Sequence, residues 1–473
     1  MSDHSPHRPA VSLKLAAALV AAGVLSGCAS LAPQPLSATD IAGVSAADRA
    51  RAQKDVEPLA GPLSLEEAVA RAIKYNLERR TRVMEEAIAA GQLEVGEYDM
   101  LPKLVASAGY RSRNNDAITR STDSVTGAPS LAHPYISSER SATTTDLSFT
   151  WSLLDFGQSY YAAKQNADRV LIAGERRRKA LHLLIQDVRT AFWRVASAQK
   201  LRGEIGAAIA ASEEALADSR KAEAERLRNP LEALRYQRQL LENLRLLEAI
   251  QQELSTARAE LANLANLPLS QELTVQEPAA TPDARWLSLP VEQMEQQAIA
   301  RNADLREAFY NARIAGEETR RAMLKLFPGL SFNYGLKGSD DSYLINQHWR
   351  EAGAQISFNL LGIVSAPAQM RLADAGVALA EQRRMATQMA LLTQVHIARQ
   401  QYANAVHQFQ RSDSIWQVDQ DISGHVAKRE QANTQTKLDL VANQTAAILS
   451  QLRRYQALAA AQAAAGRLQA TLG

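Results

Sequence analysis

A single cysteine, Cys28, serves all 473 residues, so no disulfide framework can hold this chain together. No cluster of Met or Cys suggests handling of a soft metal, and the eight His include no HExxH pair; His396 and His407 lie three helical turns apart without a supporting carboxylate pattern. No catalytic constellation is present, and the expected class is not an enzyme. Charge of one sign is missing too: Lys plus Arg number 53 against 51 Asp plus Glu, a net +2 that gives no reason to expect nucleic acid. After residue 28 no run approaches the roughly 18 uninterrupted apolar residues of a transmembrane helix. If the mature chain crosses a membrane, it does so as a closed β-barrel.

The N-terminus carries what the rest lacks. Arg8 and Lys14 precede the apolar run Leu15 to Leu25, followed by Ser26-Gly27-Cys28, the layout of a secretory signal peptide. Leu25-Ser26-Gly27-Cys28 resembles a bacterial lipobox, which implies removal of residues 1–27 and lipidation, including palmitate, on Cys28. Ala29 and Ser30 follow, as in such lipoproteins sorted to the outer membrane. Residues 28–62 are expected to be a lipid-anchored extended segment.

Internal repetition is the next signal. AVARAIKYN ending at Asn76 is echoed by EQQAIARN ending at Asn302, and Pro102 by Pro328, both at an offset of 226. Further on, FTWSLLDFG matches ISFNLLGIV with Trp151 over Phe358, and LEALRYQ matches LDLVANQ, both at 207. One unit is therefore duplicated, over 63–267 and 291–473, with a Pro-containing linker at 268–290 and one loop differing in length.

Each unit reads helix, strand, loop, strand, very long helix, sharp break, helix. Strands are expected at 104–113, 146–153, 330–337 and 354–361, and Asp155 is placed to cap the helix that follows the second of them. The proline-free runs from Phe156 to Arg228 and from Ala368 to about Glu430 predict helices of roughly 90 to 110 Å. Leu240, Leu247, Leu254 and Leu261 fall seven apart, a coiled-coil seam. The fold class is thus α+β and mostly α.

The strands alternate. Leu147, Phe149, Trp151 and Leu153 fall on one face, opposite Asp146, Ser148, Thr150 and Ser152; Leu330, Phe332, Tyr334 and Leu336 do the same, as do Ile356, Phe358 and Leu360. These apolar sets are expected to face lipid. Four strands cannot close a barrel, for which about eight are needed, and open edges are not tolerated in lipid. Several copies must pool their strands, three giving twelve and four sixteen. The long helices, charged along their length, must project into water.

LSLEEAVARAIKYN, DMLPKLVASAGY, SFTWSLLDFGQ, their repeats and TKLDLVANQ together resemble the TolC-like outer membrane efflux family, and the lipobox its lipoprotein branch. The resemblance covers about Leu63 to Leu472. It implies a homotrimer with a twelve-stranded outer-membrane barrel and a twelve-helix periplasmic tunnel. It also implies an exit duct for an inner-membrane pump, joined through a periplasmic adaptor protein, with no cofactor beyond the lipid on Cys28. Asp439 falls where such proteins carry an aperture acid, and its repeat equivalent is Glu232; the second family acid is replaced by Ala442. Both acids also fall in the first turn of a helix, where exposed amides stabilise a carboxylate regardless of function. Arg226, Arg228 and Arg235, with Lys428, Arg429 and Lys437, are placed to receive the adaptor or to end solvated helices. The competing readings are a periplasmic coiled-coil lipoprotein that never crosses the membrane, and the outer-membrane component of type I protein secretion.

Overall fold

The structure, a computed structural model, describes residues 34–120, 122–129, 135–225, 230–269, 273–276, 284–432 and 436–473. The chain divides into two units, Met1–Asp55 and Val56–Gly473. Within the first, the expected extended segment contains a helix, α1 (Ala38–Gln53), started by a Ser37–Asp40 capping box in which the Asp40 amide donates to Ser37 Oγ at 3.1 Å. It buries none of its residues. Cys28 lies outside the described residues.

The second unit repeats itself. Helices α2 (Leu65–Tyr75) and α3 (Leu77–Tyr98) lead to strand β1 (Lys103–Ser112); after a small hairpin of β2 (Ile118–Thr119) and β3 (Tyr135–Ile136) comes β4 (Ser141–Ser152). Helices α4 (Leu153–Ala224) and α5 (Pro230–Leu264) complete the repeat. A 3-10 turn at Ala284–Ser288 precedes α6 (Val291–Arg301), α7 (Ala303–Leu324), β5 (Gly329–Ser339), β6 (His348–Ser357), α8 (Leu360–Gln431) and α9 (Lys437–Leu472). The starts of α2 and α6, of α3 and α7, and of β1 and β5 are separated by 226; those of β4 and β6, of α4 and α8, and of α5 and α9 by 207. The change of register falls in the β1–β4 connection, 113–140, against 340–347 in the second repeat.

Helices α4 and α8 have 72 residues each, about 108 Å at 1.5 Å per residue. Both begin earlier than proline spacing suggests. Ser152, not Asp155, caps α4 by accepting from the Asp155 amide at 3.2 Å, leaving Asp155 as the first-turn acid. Asn359 caps α8 by accepting from the Gly362 amide at 3.0 Å, and Pro367 lies inside the helix, where it forfeits one backbone hydrogen bond without ending it.

Near the sheet the helices pack side by side in the order α3, α4, α7, α8; farther away the order is α5, α4, α9, α8. Here Leu240, Leu247 and Leu261 of the heptad seam are fully buried, Leu247 packing with Leu201, Ile205 and Ile448. Between the two levels sit α2, buried against α4 through Ala68, Ala72, Val188 and Phe192, and α6, buried against α8 and α9 through Met294, Ala298, Tyr402 and Leu468. At each level change a buried Asn joins two helices end to end. Asn76 accepts from the Arg79 amide at 2.9 Å to cap α3, and its Nδ2 donates to the Leu264 carbonyl at the end of α5 at 3.2 Å. Asn302 accepts from the Leu305 amide at 3.1 Å to cap α7 and donates to the Thr471 carbonyl of α9 at 3.1 Å.

Candidate functional site

The four long strands form one antiparallel sheet in the order β1-β4-β5-β6. Its register stacks Leu104, Phe149, Tyr334 and Ala352 in one row and Ala106, Leu147, Leu336 and Arg350 in the next, with Trp151, Phe332 and Ala354 aligned beyond them and Ile356 opposite Leu330. Alternation puts all of these on one face. The other face carries Val105, Ser148, Gly335 and Glu351 in one row, and Ser107, Asp146, Lys337 and Trp349 in the next. There Lys337 Nζ meets Glu351 Oε2 at 2.6 Å. Gly353 admits the facing Asn333, whose Oδ1 would lie 2.6 Å from any Cβ at that position.

The expected lipid-facing residues Leu147, Phe149, Trp151, Leu330, Phe332, Tyr334, Leu336 and Ile356 therefore share a face. Leu153, Phe358 and Leu360 do not belong to the sheet: Leu153 and Leu360 open the long helices, and Phe358 follows the end of β6. Strand β6 begins six residues and ends four residues before the expected 354–361 because pairing with β5 runs from Gly329–Ser357 to Gly338–His348. Trp349 on the polar face and Arg350 on the apolar one had masked that alternation. Among the described residues, strands β1 and β6 each pair on one side only.

At the far helix ends, Asp439 occupies the third position of α9 and closes a capping box: its amide donates to Thr436 Oγ1 at 3.2 Å, and the Thr436 amide donates to its Oδ2 at 3.4 Å. Glu232 is exposed in the first turn of α5. Lys437 places Nζ 2.9 Å from Glu214 Oε1 and 3.1 Å from Asp218 Oδ2, tying α9 to α4. Hydrogen bonds to Glu214 and then Asp218 hold its ammonium well above the ordinary lysine value. Arg235, Lys428 and Arg429 are exposed near these ends, and Arg226 and Arg228 lie outside the described residues. His396 Nε2 meets Glu295 Oε1 at 2.8 Å. Among the described residues no group of three or more His, Cys, Asp or Glu could hold a metal, and no helix is long and apolar enough to cross a membrane.

No family model and no curated protein sequence matches the chain. Solved structures do. The outer-membrane channel OprN superposes with a TM-score of 0.66 at 16% identity, covering 86% of this chain and 89% of OprN. The open-state MtrE channel of Neisseria gonorrhoeae gives 0.62 at 16%, over 86% and 88%, and the outer membrane protein VceC of Vibrio cholerae 0.63 at 15%, over 86% and 96%. The chain has the fold of the TolC-like outer-membrane channels. The two-faced sheet continues directly into a long helix at Ser152–Leu153. Sequence reasoning places that junction three residues later, at Asp155–Phe156, and misses the Lys337–Glu351 pair and the Lys437 tie, whose partners are set by tertiary register.

Proposed function

We propose that this protein is the outer-membrane exit duct of a tripartite export system, passing small molecules passively as a homotrimer with a periplasmic adaptor and an inner-membrane pump. The observation that carries the reading is the sheet: one apolar face, one polar face and two unpaired edges, β1 and β6. Lipid does not tolerate open edges, so β6 of one copy pairs with β1 of the next. Three copies supply twelve strands around a water-filled lumen lined by the polar face. The outer helices support the same closure. Met84, Ile88 and Val95 on α3 and Leu372, Leu379 and Met389 on α8 are exposed apolar side chains on the helices that end the row nearer the sheet, where neighbouring copies meet. Residues 1–27 are then a cleaved leader and Cys28 the lipidated anchor in the outer membrane. Asp439 and Glu232 ring the periplasmic mouth, beside the adaptor-receiving Arg226, Arg228, Arg235, Lys428 and Arg429. Lys437, committed to Glu214 and Asp218, contributes there by fixing the tip rather than by offering a free charge.

Purified protein added to planar bilayers tests the reading: discrete conductance steps with a mass of three chains by native mass spectrometry are expected. A monomer that passes no current refutes it and returns the chain to the tethering lipoprotein class.

A further inference from the structure

A groove of about 650 Å³ runs along α4 where α5 ends and α9 passes. Its α4 residues Gln186, Thr190 and Trp193 lie, at 100° per residue, on the side turned away from Val188 and Phe192, which pack with α2. Its α9 residues Ala459, Ala460 and Ala463 likewise turn away from Leu468 and the α6 core. Because α4 and α9 are the two middle helices at this level, a neighbouring copy docking at the row ends leaves the groove open.

The lining has three unequal parts. The alanines give a flat apolar floor. Trp193 is 2% exposed and among the described residues its indole Nε1 has no hydrogen-bond partner, a buried donor that costs free energy until an acceptor meets it. Arg467 is exposed, and among the described residues its guanidinium has no ion-pair partner. It also lines an adjoining cavity of about 350 Å³ with Arg178 and His182. Of the other charges in the larger groove, Arg194 is held by Glu260, while Asp187 is exposed, its carboxyl raised above the ordinary value by burial and then by the charge of Glu78.

We propose that this groove is a binding site for small amphipathic acids, with the apolar body on the alanine floor, an acceptor atom on Trp193 Nε1 and the carboxylate on Arg467. The proposal goes beyond the export reading and stands without it, since it concerns occupancy of the wall and not passage through a lumen.

Full-length protein in lipid nanodiscs, titrated calorimetrically with 1-naphthaleneacetate and separately with its neutral amide against empty nanodiscs, provides the test. The acid is expected to bind about tenfold more tightly than the amide, the difference a charge-assisted hydrogen bond supplies. Arg467→Gln, at an exposed position, abolishes that preference while leaving amide binding in place, and Ala460→Trp, also exposed, blocks both. Equal binding of acid and amide, an acid preference retained by Arg467→Gln, or heats no larger than those of empty nanodiscs overturns the proposal.

Discussion

Replacing Asn302 by Ala removes two hydrogen bonds at one place. The Leu305 amide loses its cap acceptor, and the Thr471 carbonyl loses its donor, both around a side chain whose residue is only 6% exposed. Loss of an N-cap costs about 1 kcal/mol, and stranding a part-buried carbonyl adds up to about another 1 kcal/mol. The sum of up to about 2 kcal/mol corresponds to as much as roughly a 30-fold loss of protection wherever opening is local. Hydrogen exchange on the reconstituted protein should place that loss at the first turn of α7 and the last turn of α9, with α4 unaffected. Asn302→Asp keeps the cap acceptor but sets a carboxylate against the Thr471 carbonyl; it should restore the α7 turn and leave the α9 end exposed. Asn76→Ala should act in the same way at α3 and α5, and because the two Asn serve separate cores, the double variant should be additive. Unchanged exchange in Asn302→Ala, or loss spread evenly over the helices, would refute the reasoning.

Lys437→Glu should separate α9 from α4 and raise single-channel conductance. The raised lysine value means the tie is fully present at and below the ordinary lysine range and is lost only as pH climbs through the higher value, so conductance of the unmodified protein should stay flat through mildly alkaline pH. Asp439→Ala should fray the first turn of α9 by exchange whatever its place in the mouth; an altered cation preference in the same variant tests the aperture assignment. Arg313→Ala leaves Asp168, 3% exposed, without its partner between α4 and α7, and should destabilise by about 1 to 3 kcal/mol after allowance for the exposure of the Arg, measured as lost protection along both helices. Gly353→Ala should impair trimer yield on gels, and Asn333→Ala should restore it, because the added Cβ meets Asn333 Oδ1.

Much of this architecture is legible in the chain because it is written twice: the 226 and 207 offsets recur in helix and strand starts alike. Alternation likewise shows which side chains share a face of β4 and β5. It fails in β6, where Trp349 and Arg350 sit on the faces opposite to their polarity and the apolar run after Ser357 mimics a strand; only pairing with β5 sets that register. The Lys437 tie is invisible for a related reason, its partners lying 223 and 219 residues away in the chain. Asn76 and Asn302 are visible as repeated letters, yet nothing local reveals that each also donates across to the end of another helix.

Those two Asn make a mechanical statement. At each, the negative end of one helix dipole, in α5 or α9, meets the positive end of the next, in α3 or α7, through one amide that serves both. Two broken helices per chain are thereby spliced into continuous rods that run beside the unbroken α4 and α8. The splice also marks where the chain can leave the wall, build α2 or α6, and return without opening a gap.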